Sequence, residues 1–283
     1  MADNQVAVPP APETPPSGRS LRTAVMTGVA LILLIIGTAL AGTTPFFVLV
    51  VVVVLLAQYE LLDALIKTHH RPVVPFAILC GLGMLVTAYL EEPRLLSAVL
   101  AGALVGAFVL ALRPQRGVSA MTDVAWTLLS VAWIGGGGAG AVLILMMEPS
   151  GLSLLISFVF ITALDDIGAY FVGTRFGKHK MAPSLSPAKS WEGFAGGMVV
   201  SLLGGMAFGY FVDALGVTNG LALGGIAGLL APVGDLVESM AKREIGIKDS
   251  SGLLPGHGGF LDRLDAIIFC APAACLYLRL AIS

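Results

Sequence analysis

The stretch SMAKREIGIKDSSGLLPGHGGFLDRLD, residues Ser239 to Asp265, lies between two apolar segments that are too long for ordinary core helices. Few membrane proteins place so much charge between apolar spans without using it for chemistry. Its Lys and Arg side chains suit phosphate oxygens, and its glycines let the backbone approach a ligand closely. The stretch therefore predicts a membrane site that handles phosphates. Its candidate residues are Lys242, Arg243, Lys248, Asp249, His257, Gly258, Gly259, Asp262, Arg263 and Asp265.

Composition places this charged stretch in a lipid setting. Hydrophobic residues make up 57% of the 283 residues and charged residues 12%, whereas soluble domains usually carry about 25% charge. We therefore expect an all-α, polytopic integral membrane protein with about nine transmembrane helices, at about 20 residues per span. The candidate spans lie near residues 24–41, 46–65, 73–90, 95–112, 124–147, 152–173, 194–213, 218–237 and 264–282.

Three parts of the chain are expected. Residues 1–23 include the Pro-rich stretch VPPAPETPPSG and are expected to form a disordered cytoplasmic tail. Residues 24–150 supply the N-terminal transmembrane helices, and residues 151–283 form the catalytic transmembrane region with two cytoplasmic motif loops. The first span also fits a signal peptide that ends in Ala39-Leu40-Ala41. Its apolar stretch is long for that purpose, so a retained helix is favoured.

The distribution of Lys and Arg indicates the orientation in the membrane. With the N-terminus in the cytoplasm, fourteen of the sixteen Lys and Arg residues fall on the cytoplasmic side, and Arg94 and Arg279 fall outside. An odd number of spans then places the C-terminus outside. The loops 174–193 and 238–263 both face the cytoplasm, where nucleoside triphosphates are found.

Two carboxylates interrupt the sixth span. Asp165 and Asp166 lie well inside the apolar stretch ITALDDIGAYFVG, where a carboxylate costs about 2.5 to 3.5 kcal/mol. At helical spacing Asp166, Tyr170 and Gly173 share one face, which predicts a polar cavity between helices. The alternative is that either aspartate is protonated, or hydrogen-bonded to a threonine or a backbone group.

The eighth span ends in PVGDLVESMAKR and carries a polar stripe. At about 100° per residue, Asp235, Ser239 and Lys242 face one site near the cytoplasmic surface, with Glu238 at the edge of the stripe. Lys242 and Arg243 also suit a purely anchoring role at the membrane surface. Asp235 is harder to explain in that way, because it lies a turn or more inside the apolar stretch.

Two more carboxylates open the ninth span. Asp262 and Asp265 suit capping of a helix N-terminus and the helix dipole. The preceding Gly258 and Gly259 favour a phosphate seat instead, since flexible glycines before a helix N-terminus bind anions readily. His257 beside them can donate a hydrogen bond to an oxygen or hold a metal-bound water.

Carboxylates from different helices, together with several Lys and Arg side chains, are typical of magnesium-assisted phosphoryl or nucleotidyl transfer. In such a reaction a substrate phosphate attacks the α-phosphorus of a nucleoside triphosphate in line, while Mg²⁺ and cations neutralise the departing pyrophosphate. The sequence contains neither the P-loop pattern G-x-x-x-x-G-K-[ST] nor a Rossmann glycine fingerprint in its strand context. Nucleic acid is not expected as a partner.

Two ordered motifs resemble those of phosphatidate cytidylyltransferases, also called CDP-diacylglycerol synthases. The first is D-x-x-A-Y-x-x-G, a basic loop and S-P-x-K-[TS]-x-E-G-x-x-G-G. The second is S-x-x-K-R, four residues, K-D, a Pro or Gly just ahead of H-G-G, and D-R-x-D. The first motif is matched by Asp166, Ala169, Tyr170, Gly173, Ser186, Pro187, Lys189, Ser190, Glu192, Gly193, Gly196 and Gly197. The second is matched by Ser239, Lys242, Arg243, Lys248, Asp249, Pro255, His257, Gly258, Gly259, Asp262, Arg263 and Asp265.

The resemblance implies a reaction, a cofactor and a location. CTP and phosphatidate would give CDP-diacylglycerol and pyrophosphate, with Mg²⁺ required, in a homodimer of all-helical membrane subunits. We expect the bacterial inner membrane, with the active site facing the cytoplasm. One departure is Asp165, where alanine is common in the family, and it leaves open which of the two aspartates acts.

Residue roles follow from the resemblance position by position. Catalysis is expected of Asp235, Asp262, Lys242, Asp249 and His257. Metal binding is expected of Asp235 and Asp262 first, with Asp166 and Asp249 as further candidates. Substrate binding is expected of Asp166, Tyr170, Ser186, Lys189, Glu192, Ser239, Arg243, Lys248, Gly258, Gly259, Arg263 and Asp265.

Two other classes of protein share some of these features. Intramembrane carboxylates and broken helices also mark the ion pathways of transporters and channels, but transporters place charge near the midplane, whereas most of it here crowds two loops on one side. A CDP-alcohol phosphotransferase would need D-G-x-x-A-R followed by spaced aspartates. No Asp-Gly pair occurs in the sequence.

Overall fold

The computed structural model describes residues 21–112, 120–247, 251 and 258–282, and these form ten α-helices and one β-hairpin. Lys248, Asp249 and His257 therefore lie outside the described residues. The helices are α1 (Leu21–Ala41), α2 (Thr43–Lys67), α3 (Val74–Tyr89), α4 (Pro93–Ala111), α5 (Ala120–Leu129), α6 (Gly136–Leu145), α7 (Gly151–Phe176), α8 (Trp191–Phe211), α9 (Gly216–Glu244) and α10 (Leu261–Ile282). A π-helical segment, Ser130–Gly135, joins α5 to α6.

The expected class, an all-α polytopic membrane protein, agrees with these helices. Seven spans in the described ranges are long and apolar enough to cross a membrane, with α5, the π-helical segment and α6 acting as one span. Two further apolar stretches are shorter: α3 (Val74–Tyr89) and the segment Val25–Ala41 of α1. The expected number of nine transmembrane helices therefore depends on these two and stays a prediction.

The loop between α7 and α8 contains regular structure that the sequence analysis did not predict. Strand β1 (Lys180–Ala182) pairs antiparallel with β2 (Ser186–Ser190), with Lys180 opposite Ser190. The Ser190 hydroxyl then caps α8 by accepting a hydrogen bond from the Gly193 N–H at 3.1 Å. The hairpin thus fixes the direction in which β2 enters α8.

Glycines let α8 and α9 pack with their backbones in close contact. A Cβ atom on Gly205 would overlap the carbonyl of Gly220, and a Cβ on Gly209 would overlap that of Gly216. Larger residues at these positions would push the helices apart, as in other membrane interfaces built on small residues. This packing brings the C-terminal half of α9 beside the hairpin.

Contacts between loops place alternate helix ends on the same side of the molecule. The Arg71 N–H, between α2 and α3, donates to Asp123 Oδ1 near the start of α5 at 2.8 Å. At the opposite end, Arg279 near the end of α10 lies 3.5 Å from Glu91, which follows α3. This arrangement is what helices that cross alternately up and down require.

Candidate active site

A partly open cavity of about 370 Å³ lies between α7, the hairpin, α8 and α9. Asp166, Tyr170 and Gly173 line it from α7, as their helical spacing predicts. Lys189 lines it from β2 and Asp235 from α9. The polar cavity expected on this face of α7 is therefore present, and its polar lining comes from three separate elements.

The two adjacent aspartates of α7 have different surroundings. Asp166 is exposed in the cavity, whereas Asp165 is 0% exposed. Asp165 packs against α8, where a Cβ on Gly197 would lie 2.7 Å from its Oδ1 atom and Ser201 is a close neighbour. Both line the cavity, but successive residues on a helix point about 100° apart, so Asp166 faces it openly and Asp165 lies at its closed side.

One lysine–carboxylate pair spans the cavity. Lys189 Nζ lies 2.5 Å from Asp235 Oδ2 and also donates to the Pro232 carbonyl at 3.1 Å. Both side chains are partly buried, so their attraction is screened less than that of a surface pair. The hairpin therefore carries an ammonium group directly over the carboxylate of α9.

A second pair lies at the end of α9. Lys242 Nζ is 3.1 Å from Glu238 Oε1 and 2.9 Å from Asp262 Oδ1 at the start of α10. Glu238 is 4% exposed, so it is a buried member of this group, although the sequence placed it only at the edge of the stripe. The signal that could have found it is its spacing of four residues from Lys242, which is typical of a helical ion pair.

Asp265 joins the two pairs. It is 5% exposed, and its carboxyl group lies close enough to those of Asp235 and Glu238 to interact with both. Glu238 in turn contacts Asp262. These four carboxyl groups form one chain of contacts, the carboxylate chain, with Lys189 at one end and Lys242 near the other. Carboxylates this close repel one another unless a proton or a cation lies between them.

The carboxylate chain is not arranged as a finished metal site. Among the residues that the structure describes, no group of three or more Asp, Glu, His or Cys side chains could hold a metal ion. Ammonium groups lie instead against Asp235 and Asp262, the two expected ligands. The donor chemistry still fits a hard divalent cation, because Mg²⁺ prefers carboxylate oxygens. The carboxylate chain also has four carboxyl groups and, in the described ranges, only two lysines beside them.

The glycine turn, Gly258 and Gly259, contacts the carboxylate of Asp262. Gly258 has φ +85°, a conformation that favours glycine. The Gly259 N–H donates to Asp262 Oδ2 at 2.9 Å, while the other oxygen of Asp262 accepts from Lys242. Asp262 is therefore held from both sides, by the backbone of the glycine turn and by the Lys242 ammonium group.

Other predicted residues lie around this centre. Arg263 is exposed on the first turn of α10 and interacts electrostatically with Asp166. Arg243 is exposed at the end of α9, where it donates to the Ile247 carbonyl at 3.4 Å. Ser239 is half-buried on α9, and Ser186 lies in β2 opposite Ala182.

Glu192 holds the basic loop in place. Its carboxylate accepts hydrogen bonds from the backbone N–H groups of Lys178 and His179, at 3.1 and 3.2 Å, and lies 2.6 Å from His179 Nδ1. It does not line the cavity as described. Its expected role in substrate binding stays a prediction.

Sequence reasoning missed a buried carboxylate of the N-terminal half that reaches the start of α10. Glu60 of α2 is 1% exposed, accepts a hydrogen bond from the Leu261 N–H at 2.9 Å and another from Ser251 Oγ at 2.5 Å. The available signal was a glutamate near the expected cytoplasmic end of an apolar span.

Comparison with known proteins places the chain in a family. The cytidylyltransferase family model matches residues 22–281. This chain belongs to the cytidylyltransferase family. The resemblance carried by the two motifs is thus confirmed, and it extends over the N-terminal helices, which the motifs did not cover.

The curated relatives of this cytidylyltransferase family member have a common name. A phosphatidate cytidylyltransferase of Mycobacterium bovis is 34% identical over 96% of this chain and 92% of its own length. One from Mycobacterium tuberculosis is 34% identical over 96% of this chain and 86% of its length. One from Staphylococcus aureus is 43% identical over 53% of this chain and 57% of its length. The protein is therefore a nucleotidyltransferase enzyme, and the transporter and phosphotransferase alternatives are set aside.

Proposed function

We propose that this enzyme makes CDP-diacylglycerol and pyrophosphate from CTP and phosphatidate. The observation that carries the proposal is the carboxylate chain, with a lysine at each end, beside a polar cavity. Such a site can bind both a polyphosphate and a counter-ion. The names of the relatives supply the two substrates.

The lysines are proposed to exchange partners when the nucleotide binds. In the free protein Lys189 neutralises Asp235, and Lys242 neutralises Glu238 and Asp262. An ammonium group has three donors on a flexible stem, so each lysine can turn from a carboxylate to a phosphate oxygen. Arg263, exposed near Asp166, would add a planar fork of donors for the lipid phosphate or the triphosphate.

The bond changes of the proposed reaction are those of in-line nucleotidyl transfer. A phosphatidate oxygen forms a bond to the α-phosphorus of CTP, and the bond from that phosphorus to the bridging oxygen of the β-phosphate breaks. Pyrophosphate leaves with the electron pair. The chain contributes positioning and positive charge, and no side chain needs to act as nucleophile.

Magnesium is the cofactor that we propose, with Asp235 and Asp262 as its holders and Asp166 and Asp249 as further candidates. When bound, Mg²⁺ neutralises developing negative charge on the phosphates. The excess of carboxyl groups over lysines in the carboxylate chain supports a divalent cation.

The route of the lipid follows from where the cavity lies. Asp166 is exposed in the cavity, within an apolar helix, and is not sealed in a dry pocket. We propose that the cavity opens to the cytoplasm and sideways to the inner leaflet, so that phosphatidate keeps its acyl chains in the bilayer.

The location would be the bacterial inner membrane, with nine spans and the motif loops in the cytoplasm. A homodimer is the expected assembly, which the mass of the detergent-solubilised protein would test.

Purified protein in detergent provides the deciding assay. We expect pyrophosphate release that needs CTP and phosphatidate together, with CDP-diacylglycerol formed in equal amount. Omission of either substrate, or replacement of phosphatidate by diacylglycerol, should reduce release to background, since diacylglycerol lacks the attacking phosphate. Release of pyrophosphate from CTP without any lipid, or a product other than CDP-diacylglycerol, would contradict the proposal.

A further inference from the structure

A second cavity, of about 460 Å³, lies between α1, α2, α6, α7 and α10. Its lining is apolar throughout and is made by aliphatic side chains, phenylalanine rings and glycines. The lining residues include Ile35 of α1, Val53 of α2, Ala163 of α7 and Leu264 of α10. We call it the apolar groove.

The apolar groove and the polar cavity follow one another along α7. Val159 and Ala163 line the groove, and Asp166 and Tyr170, on the same side of the helix at spacings of three and four residues, line the polar cavity. Ala163 precedes Asp166 by three residues, which is an axial rise of about 4.5 Å. One stripe of α7 therefore passes from apolar to charged within a single helical turn.

Apolar and charged residues also adjoin on α10. Leu264 lines the apolar groove, and Asp265, a member of the carboxylate chain, follows it and points about 100° away. A molecule with its phosphate in the polar cavity would thus find the apolar groove one helical turn away along α7. That arrangement matches a phosphorylated lipid, which carries its charge and its hydrocarbon at adjacent positions.

We propose that the apolar groove holds one acyl chain of the lipid substrate and thereby makes the enzyme sensitive to chain length. This inference rests on the proposed function, because it takes phosphatidate as the lipid. Continuity with the charged site favours an acyl chain over a second protein copy, since a protein surface would leave the phosphate site unexplained. Because the chain enters the groove from an equally apolar bilayer, its affinity comes from close van der Waals packing against the groove and not from removal from water.

Filling the groove tests this proposal. Ala163→Phe should lower kcat/KM for dipalmitoyl phosphatidate about tenfold, because the ring occupies the path of the chain. It should change kcat/KM for dioctanoyl phosphatidate by less than about twofold, since a short chain need not enter deeply. Leu104→Phe, on the exposed side of α4, is the matched control and should leave the ratio of the two lipids at the wild-type value.

Two other outcomes would contradict the proposal that the groove holds an acyl chain. An unchanged ratio for Ala163→Phe would show that no chain passes Ala163, and equal loss with both lipids would show damage to the charged site instead. If wild-type protein turns over neither lipid, the proposed function fails by itself. Phe160 also lines the groove, and quenching of Phe160→Trp fluorescence by brominated-chain phosphatidate, measured against wild type, then decides whether a chain enters, with brominated phosphatidylcholine as the comparison. Equal quenching by the two lipids would contradict a chain held by a phosphate-anchored lipid.

A different observation, the contacts of Glu60, carries a second inference. Glu60 accepts hydrogen bonds from two points on the motif loop between α9 and α10, namely Ser251 Oγ and the Leu261 N–H. Gly259 also abuts it, since a Cβ there would lie 2.6 Å from Glu60 Oε2. Gly259 is the residue whose N–H holds Asp262. Glu60 thus fixes the backbone that orients Asp262.

We infer that Glu60 is a positioning residue for Asp262. Glu60→Ala should lower kcat about tenfold or more, as loss of a supporting shell commonly does, while KM for CTP stays within about twofold. Glu60→Gln keeps an acceptor for the Leu261 N–H and offers a donor to Ser251, so it should recover kcat to within about threefold of wild type. Amide exchange in residues 258–265 should accelerate in Glu60→Ala and not in Glu60→Gln.

Gln58 provides a matched control from the same helix. It is fully buried and donates to the Ala77 carbonyl at 3.0 Å, away from the motif loop. Gln58→Ala should destabilise the protein without faster exchange in residues 258–265 and with kcat within about twofold of wild type. Equal kcat losses in Glu60→Ala and Gln58→Ala, or unchanged exchange in Glu60→Ala, would overturn the inference.

Discussion

Carboxylates in the two halves of the molecule are satisfied in different ways. In the N-terminal half, the buried Glu60 and Asp123 accept hydrogen bonds from the backbone N–H groups of Leu261 and Arg71. In the C-terminal half, the partly buried Asp235 and Asp262 lie against lysine ammonium groups, although Asp262 also accepts from the Gly259 N–H. A backbone donor is fixed in place, whereas a lysine can leave for a phosphate. The first kind of contact suits a scaffold, and the second suits a site that must exchange partners with a ligand.

The sharpest way to break this comparison is to remove an exchangeable lysine. Lys242→Met should lower kcat about 100-fold, because a positive charge aimed at the phosphates is lost and Glu238 and Asp262 lose their shared partner. Steady-state pyrophosphate release measures it. Lys67→Met is the control, since Lys67 is 72% exposed in its pair with Asp63 and such surface pairs contribute little. Similar turnover in the two variants would show that Lys242 is only a membrane anchor.

A smaller effect is expected at Arg263. Arg263→Lys keeps the positive charge but removes the planar fork that binds two phosphate oxygens, so kcat/KM should fall about tenfold with normal membrane insertion. Arg279→Lys, at the opposite end of α10, is the matched change and should leave kcat/KM unaltered. Normal kinetics for Arg263→Lys would assign that arginine to anchoring alone.

The smallest effect on turnover is expected in the N-terminal half. Asp123→Ala should reduce the free energy of unfolding by about 1 to 3 kcal/mol, because the Arg71 N–H loses its buried acceptor. Turnover per folded molecule should stay within about twofold of wild type. Reversible unfolding in detergent, together with kcat, separates the two quantities. A large loss of kcat at unchanged stability would erase the distinction between the two halves.

Patterns within single helices explain what the sequence could predict. Apolar runs predicted a polytopic membrane protein. The spacing of Asp166, Tyr170 and Gly173 predicted which face of α7 lines the polar cavity. Each of these depends only on helical geometry along one segment. The motifs added the family, although not the place of each residue within the site.

Contacts between distant segments explain what the sequence could not predict. Glu60 and Leu261 are 201 residues apart in the chain, and a backbone N–H leaves no signature in the sequence of its partner. The hairpin that places Lys189 over Asp235 arises from a loop that lacks a strong strand pattern. The sequence placed Glu238 only at the edge of the polar stripe, because the pattern of α9 alone does not indicate that Asp262 approaches from α10.

The turnover of Asp262→Asn at saturating Mg²⁺ tests the central claim most directly. Asparagine preserves the shape of the side chain and removes the charge that Lys242 neutralises and that the metal is proposed to need. We predict that CTP- and phosphatidate-dependent pyrophosphate release falls by at least about 100-fold, with an unchanged melting temperature. Near-normal turnover at saturating Mg²⁺ would contradict the account, because Asp262 would then only hold the glycine turn in place.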